Sequence, residues 1–159
     1  MFFKYNKILL LKILTIICQK KINFIVFNFE SNKNFIKIMK KILYVEDEPV
    51  NAFVVKKMLQ KQYDVDIVYD GMSCLQMFQK NDYDLVLMDI NLGEENNNGN
   101  DVVQKLRTLP NGKNVKVIAV TAFANPNDKS LFISQGFDDY LAKPIEDSVL
   151  ISMIKNLIK

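Results

Sequence analysis

Five short segments within residues 39–159 constrain the fold more than any other feature of this sequence. Most of them are continuous apolar runs that stop at polar or charged residues, as buried strands do. Because their apolar residues do not alternate with polar ones, the runs indicate a parallel sheet that is covered on both faces. The predicted strands are residues 42–45, 65–68, 85–88, 115–120 and 139–141.

Segments with helical spacing separate these strands. The predicted helices cover residues 50–59, 72–78, 101–109, a segment from Asn125-Pro126 to Gly136, and a segment that follows Pro144. Asp70 is suited to cap the second helix. The apolar residues that carry the spacing in the first and last helices are Val50, Phe53, Val54, Met58, Leu59, Val149, Leu150, Met153, Ile154 and Leu157. Five strands alternating with five helices through right-handed crossovers predict an α/β fold with a doubly wound five-stranded parallel sheet.

Residues 1–38 differ in charge from the rest of the chain. They contain seven lysines and one acidic residue, whereas residues 39–159 contain 14 basic and 17 acidic residues. The net charge of +3 for the whole sequence therefore comes from the leading segment. Nothing in residues 39–159 indicates a basic surface for nucleic acid, so no direct nucleic-acid partner is expected.

Three interpretations of residues 1–38 stay open. In the first interpretation, residues 1–38 are a non-native extension, because a predicted strand follows Met39 at once and translation can start at that methionine. Alternatively, it is an amphipathic membrane-surface helix or a disordered tail, or it is a signal or anchor. Its apolar stretch over residues 8–18 is interrupted by Lys12 and is too short to span a membrane. We expect a domain that starts at residue 39, with no membrane partner unless residues 1–38 form a surface helix.

The sequence contains two cysteines, Cys18 and Cys74, and no histidine. The lack of histidine excludes a Ser-His-Asp triad, a Cys-His pair and a His-ligated zinc site within these residues. Two distant cysteines without a CxxC motif predict no disulfide framework, so a reducing cytoplasm is the expected location.

Polar residues follow four of the five strands, and such positions form the sites of doubly wound sheets. These residues are Glu46-Asp47-Glu48, Asp89, Thr121-Ala122 and Lys143-Pro144. Clustered carboxylates raise one another's pKa unless a cation neutralises them, and Mg²⁺ prefers such oxygen ligands. A lysine and a hydroxyl beside the metal suit a phosphate. The set therefore predicts phosphoryl transfer to or from a carboxylate.

Four motifs at these strand ends resemble those of response-regulator receiver domains of two-component signalling. They are KILYVEDEPVN at 41–51, DLVLMDINL at 84–92, VIAVTA at 117–122 and YLAKP at 140–144. Each motif alone is weak, but four in this order at the ends of apolar strands are specific. The resemblance covers residues 40–159 and implies a flavodoxin-like sheet with strand order 2-1-3-4-5.

The resemblance implies a phosphoacceptor and a metal site. Asp89 would be the nucleophile that becomes an acyl phosphate in a Mg²⁺-dependent reaction. Asp47 would bind the metal directly and Glu46 through water. Asp89 itself and the backbone carbonyl of Asn91 would be the other metal ligands.

The resemblance also implies groups that hold and sense the phosphoryl group. Lys143 and the Thr121 hydroxyl would bind phosphoryl oxygens, with the Ala122 N–H beside them. Thr121 and Tyr140 would be the switch residues, and the orientation of the Tyr140 ring would report the phosphorylated state. The Lys143-Pro144 bond is expected to be cis.

The segment between Leu92 and Gly99 departs from the family pattern. It reads Gly-Glu-Glu-Asn-Asn-Asn and is longer than the usual turn at this position. Gly99 matches the glycine that opens the third helix. Because the loop over residues 93–98 lies beside the phosphoacceptor, it can alter metal access, partner choice or phosphate lifetime.

The expected function is that of a stand-alone response regulator, since no output domain follows the fifth helix. The donor would be a sensor or hybrid histidine kinase, or a histidine phosphotransfer protein. The signal would pass to a downstream protein target by contacts or through a phosphorelay. We expect no activity on an external substrate beyond self-phosphorylation from a phosphodonor and autodephosphorylation.

Two alternatives come from other functional classes. A Mg²⁺-dependent phosphatase with an aspartyl nucleophile usually carries a second aspartate two residues later, where this chain has Asn91. It would also need a cap domain. A pseudo-receiver that only binds partners is disfavoured by the intact set of acids together with Thr121 and Lys143.

Overall fold

The structure is a computed structural model that describes residues 39–93, 98–122 and 129–158. These residues belong to one compact unit, which begins at Met39. Residues 1–38, the Asn125-Pro126 helix start and most of the 93–98 loop lie outside the described residues. The domain boundary after residue 38 therefore stays a prediction.

The described residues form a five-stranded sheet. Its strands are β1 (Lys41–Val45), β2 (Asp64–Val68), β3 (Leu85–Asp89), β4 (Lys116–Thr121) and β5 (Asp139–Ala142). They lie in the order β2-β1-β3-β4-β5, and every neighbouring pair is parallel. The predicted fold class and strand order are confirmed.

The helices alternate with the strands as predicted. They are α1 (Pro49–Leu59), α2 (Gly71–Lys80), α3 (Gly99–Thr108), α4 (Lys129–Ser134) and α5 (Asp147–Leu157). The Asp70 side chain caps α2 by accepting from the backbone N–H of Ser73 at 2.7 Å. Gly136 follows α4 with φ at +102°, a conformation that favours glycine. Among the described residues, no helix has the length and apolar character needed to cross a membrane.

Both faces of the sheet are covered, as the continuous apolar runs predict. Successive strand residues point to opposite faces, so Ile42 and Tyr44 face one side while Leu43 and Val45 face the other. Helices α1 and α5 cover the first side with Ala52, Val55, Leu59, Leu150 and Ile154. Helices α2, α3 and α4 cover the second side with Cys74, Phe78, Val102, Leu106 and Phe132.

The apolar residues whose spacing predicts α1 are mostly not those that the helix buries. Val50, Phe53 and Val54 are 66%, 59% and 44% exposed. Val149 in α5 is likewise 43% exposed. The buried residues of α1 recur at i, i+3 and i+7 and are Ala52, Val55 and Leu59. Because α1 is apolar on more than one side, spacing alone does not select the side that meets the sheet.

A group of charges lies at the amino ends of β4 and β5, and we call Arg107, Lys116 and Asp138 the amino-edge cluster. The Asp138 carboxylate pairs with Arg107 at 2.9 Å and with Lys116 at 2.7 Å. Arg107 also donates to the backbone carbonyls of Gly112, Val115 and Gly136. The cluster therefore joins the end of α3 to the segments that precede β4 and β5.

Candidate functional site

Three carboxylates lie together at the carboxyl edge of the sheet, where the neighbouring strands β1 and β3 end. Glu46 and Asp47 follow β1, and Asp89 is the last residue of β3. One carboxylate oxygen from each of the three lies within 4.8 Å of those of the other two. Glu46 and Asp89 are buried, whereas Asp47 is exposed. We call these three residues the carboxylate cluster.

Lys143 brings a positive charge into the carboxylate cluster. Its Nζ atom lies 2.7 Å from Asp89 Oδ2 and 2.8 Å from Glu46 Oε2. The lysine follows β5, and its backbone N–H donates to the Thr121 carbonyl at 2.7 Å. The Lys143-Pro144 bond is cis, as predicted. Lys143 thus contacts the two buried carboxylates of the cluster.

Glu46 receives further hydrogen bonds from two neutral side chains. The Tyr44 hydroxyl donates to Glu46 Oε2 at 2.6 Å, and the Asn51 side-chain amide donates to Oε1 at 3.2 Å. Tyr44 and Asn51 both lie within the first motif, but the sequence alone predicts no role for either of them. The strand alternation carries a signal for Tyr44, because a residue two positions before Glu46 lies on the same face.

The surroundings shift the pKa values of the two buried carboxyls and of the partly buried Lys143 in different directions. Burial opposes ionisation of Glu46, but hydrogen bonds from Lys143, Tyr44 and Asn51 outweigh it and lower its pKa. Burial raises the pKa of Asp89, and the negative charge of Glu46 adds to this, despite the hydrogen bond from Lys143. Burial works against the charged form of Lys143, but its bonds to Asp89 and Glu46 raise its pKa.

The carboxylate cluster has the chemistry of a site for a hard divalent cation. Three carboxylates face one lysine, so the cluster carries an excess of negative charge, and its oxygens are close enough to share an ion. Mg²⁺ binds to one or two protein carboxylates and otherwise to waters and phosphate oxygens. Each oxygen of Glu46 already has two donors, whereas each oxygen of Asp89 has one and Asp47 is exposed, so Asp47 and Asp89 suit direct contact better than Glu46 does.

Backbone groups from two further segments approach Asp89. The Asn91 backbone N–H donates to Asp89 Oδ1 at 3.1 Å, which brings the backbone of Asn91 beside the acceptor. A Cβ atom at Gly99 would lie 2.3 Å from the Asp89 carbonyl oxygen, so only glycine fits where α3 begins. Gly93 lies beside the third carboxylate of the cluster, because a Cβ at this position would lie 2.7 Å from Asp47 Oδ2.

The other predicted site residues lie at the ends of β4 and β5. Thr121 is buried and pairs in register with Ala142, and Ala122 follows it as an exposed residue. The Tyr140 ring is partly buried and stacks on Phe132 of α4, with the ring centroids 5.5 Å apart. The roles of Thr121, Ala122 and Tyr140 in holding or sensing a phosphoryl group stay predictions.

Comparison with known proteins yields one family. A family model described as response regulator receiver domain matches residues 42–155. The chain is 35% identical over 122 residues to the response regulator ArlR of Staphylococcus saprophyticus, covering 76% of this chain and 53% of that protein. It is 33% identical over 129 residues to hybrid signal transduction histidine kinase I of Dictyostelium discoideum, covering 76% of this chain and 7% of that protein.

Solved structures of receiver domains superimpose on the described fold. The receiver domain of sensor histidine kinase PA1611 from Pseudomonas aeruginosa matches with a TM-score of 0.68 and 35% identity, covering 76% of this chain and 98% of that one. That structure holds a magnesium ion coordinated in its active site cleft. Vibrio cholerae chemotaxis protein CheY4 matches with a TM-score of 0.69 and 25% identity, covering 75% and 98%. The chain spans about half the length of the curated response regulators it matches.

Proposed function

The chain belongs to the response regulator receiver domain family, and we propose that it takes up a phosphoryl group on Asp89. One observation carries the proposal. The buried Asp89 carboxylate lies 2.7 Å from Lys143 Nζ, and one of its oxygens lies within 4.8 Å of one oxygen of Glu46 and one of Asp47. This combines a nucleophile, a cation for a phosphoryl oxygen and a set of metal ligands in one place.

The proposed chemistry is a displacement at phosphorus. A carboxylate oxygen of Asp89 attacks the phosphorus of a phosphohistidine, so a P–O bond forms while the P–N bond breaks. The imidazole nitrogen keeps the electron pair of that bond and takes up a proton. Lys143 and the Thr121 hydroxyl hold oxygens of the transferred group, with the Ala122 N–H beside them. Hydrolysis of the acyl phosphate later returns Asp89 to its free form.

A magnesium ion belongs to this proposal as the cofactor. Asp47 and Asp89 would bind it directly, Glu46 would do so through water, and the Asn91 carbonyl would supply a further oxygen. When bound, the ion offsets the charge that gathers on the phosphoryl oxygens. The support is the excess of negative charge in the cluster, together with the magnesium in the PA1611 receiver domain.

The output is a change of surface that follows the change of charge at Asp89. The phosphoryl group draws the Thr121 hydroxyl toward it, and the Tyr140 ring moves with the end of β4. The two arrangements are populations in equilibrium, and phosphorylation favours one of them. The stacking of Tyr140 on Phe132 supports this route, because it couples β5 to α4.

The donor is a histidine-bearing protein, because these 159 residues contain no histidine. A sensor or hybrid histidine kinase, or a histidine phosphotransfer protein, fits this role. An exposed apolar surface on α1, formed by Val50, Phe53 and Val54, lies on the helix that follows the acidic loop. A donor protein that docks close to Asp89 would bury this apolar surface.

The stand-alone arrangement, the cytoplasmic location and the signalling by protein contacts or phosphorelay are also part of this proposal. The curated response regulators that match are about twice as long as the matched region. An immunoblot of source cells tests the arrangement. A band at the size of this chain supports a stand-alone regulator, and a single band far larger contradicts it.

Asp89→Asn tests the phosphoacceptor. We expect the purified wild-type chain to take up acid-stable, base-labile phosphate from a phosphorylated histidine kinase or a small phosphodonor, and we expect the variant to take up none. The cause is the loss of the nucleophilic oxygen. Asp64→Asn is the matched control, because Asp64 is an exposed aspartate at the start of β2. Equal labelling of Asp89→Asn and wild type would reject the assignment, and an unlabelled wild type would favour the pseudo-receiver.

A further inference from the structure

The Glu46 side chain is fully buried, yet donors surround its carboxylate. Lys143 Nζ contacts both of its oxygens, at 3.0 Å for Oε1 and 2.8 Å for Oε2. Tyr44 donates to Oε2 and Asn51 donates to Oε1. A carboxylate is buried at acceptable cost only when it is paired and hydrogen-bonded, and here the pairing involves three separate side chains.

Tyr44 owes its contact with Glu46 to the pleat of β1. The two residues are two positions apart, so both side chains lie on the face that α1 and α5 cover. Tyr44 has no exposed surface, and a buried phenol needs a hydrogen-bond partner. Its partner is Glu46, the carboxylate that directly follows β1 and pairs with Lys143. The phenol therefore limits the rotation of Glu46.

Asn51 acts from the other side of the carboxylate. It lies in the first turn of α1, two residues after the helix begins at Pro49, and donates to Glu46 Oε1 at 3.2 Å. Because Asn51 is exposed, water can partly replace its amide. Tyr44 has no exposed surface, so water replaces its hydroxyl less readily than it replaces the Asn51 amide.

We propose that Tyr44 and Asn51 are positioning residues that hold Glu46 in the orientation in which the carboxylate cluster binds Mg²⁺. The inference rests on the proposed function, because it concerns the metal of that same site. Side chains that hydrogen-bond metal-binding carboxylates fix the ligand geometry, and their loss typically weakens metal binding by about 10- to 100-fold. Tyr44 matters more than Asn51, since Tyr44 is buried and Asn51 is exposed.

Titration calorimetry with MgCl₂ alone, without any phosphodonor, tests this inference on the full chain. We expect Tyr44→Phe to raise the dissociation constant for Mg²⁺ roughly tenfold. Asn51→Ala should raise it by about threefold, as the loss of one exposed hydrogen bond does. In a Glu46→Gln background, Tyr44→Phe should change the constant by less than about twofold, because the group through which it acts is altered.

Tyr83→Phe is the matched control for a merely structural role. Tyr83 is also a buried tyrosine whose hydroxyl donates to a carboxylate, that of Asp66, at 2.7 Å. It lies outside the carboxylate cluster, so its variant should lose stability while the Mg²⁺ affinity stays that of wild type. Thermal unfolding of both variants verifies that each is folded during the titration.

The outcomes separate this inference from the proposed function. If Tyr44→Phe binds Mg²⁺ like wild type, or if Tyr83→Phe weakens binding as much, the positioning role is wrong and the phosphoacceptor is unaffected. If the effect of Tyr44→Phe persists in full in the Glu46→Gln background, Tyr44 does not act through Glu46. If wild type binds Mg²⁺ but Asp89→Asn is labelled like wild type, the proposed function fails alone. A wild-type chain that binds no Mg²⁺ overturns both the metal of the proposed function and this inference.

Discussion

Two groups of charges lie at opposite ends of the same sheet, and they are balanced differently. In the amino-edge cluster, two cations share one carboxylate, and the Val117 N–H also donates to Asp138. In the carboxylate cluster, three carboxylates lie together and Lys143 pairs with two of them, Glu46 and Asp89. The carboxylate of the first cluster is fully paired, whereas the negative charge of the second cluster exceeds the single positive charge of Lys143.

The pKa values follow this difference. Burial opposes ionisation of Asp138, but bonds from Lys116 and the Val117 N–H and the charge of Arg107 hold its pKa below the usual range. The pKa of Asp89 is raised by burial and by the charge of Glu46. A cluster that leaves a buried acid undercompensated indicates a functional site, and a cluster that satisfies its acid indicates a structural one.

The variant with the largest expected effect removes Arg107 from the amino-edge cluster. Arg107→Met should lower the free energy of unfolding by about 3 kcal/mol, because it leaves Asp138 with fewer partners and frees the carbonyls of Gly112, Val115 and Gly136. Urea unfolding measures the change, and Lys105→Met on the exposed side of the same helix is the control. A loss no greater than that of the control would mean that the cluster is not structural.

The next effect separates two glycines with positive φ. Gly93 has φ at +70° and Gly136 at +102°, so alanine at either position costs about 1 kcal/mol of stability. At Gly93 the new Cβ would also meet Asp47 Oδ2, whereas at Gly136 it would make only ordinary contacts with the side chains of Val103 and Arg107. We expect Gly93→Ala to weaken Mg²⁺ binding about tenfold and Gly136→Ala to leave it unchanged. Calorimetry would contradict this if both variants bound the ion equally well.

The smallest effect is the response of the two clusters to pH. A carboxyl whose pKa is depressed in the folded state stabilises the fold at pH values above its unfolded pKa of about 3.9. This stabilisation is lost as the pH falls through the pKa of the folded state. Asp138 is of this kind. Asp89 has the opposite sign, so its contribution is present below about pH 3.9 and is lost as the pH rises through its raised folded value.

Two variants measured without Mg²⁺ distinguish these signs. Asp138→Asn should be less stable than wild type near neutral pH, and the difference should shrink below about pH 4. Asp89→Asn should be more stable than wild type near neutral pH, and this gain should also shrink in acid. Urea unfolding in a chelator at several pH values gives both curves. Parallel curves for wild type and either variant would show that the corresponding cluster does not titrate as described.

The amino-edge cluster also shows where sequence analysis falls short. Arg107, Lys116 and Asp138 lie in no motif, and the groups that Arg107 contacts lie up to 31 residues away from it along the chain. No local sequence pattern predicts that Arg107, Lys116 and Asp138 meet, because their contact depends on how α3 packs beside β4 and β5. The carboxylate cluster was accessible to prediction for the opposite reason, since each of its residues follows an apolar strand directly.

The order of apolar, helical and polar segments along the sequence determined the architecture of this protein. Continuous apolar strands alternating with helical segments require a parallel sheet covered on both faces, and parallel strands bring the residues that follow them to one edge. Glu46, Asp47, Asp89 and Lys143 could therefore be grouped before any coordinates were known. Tertiary structure alone decided which side of α1 is buried and that Tyr44 and Asn51 support Glu46. Those choices depend on packing and on the distance between side chains, which a one-dimensional pattern does not contain.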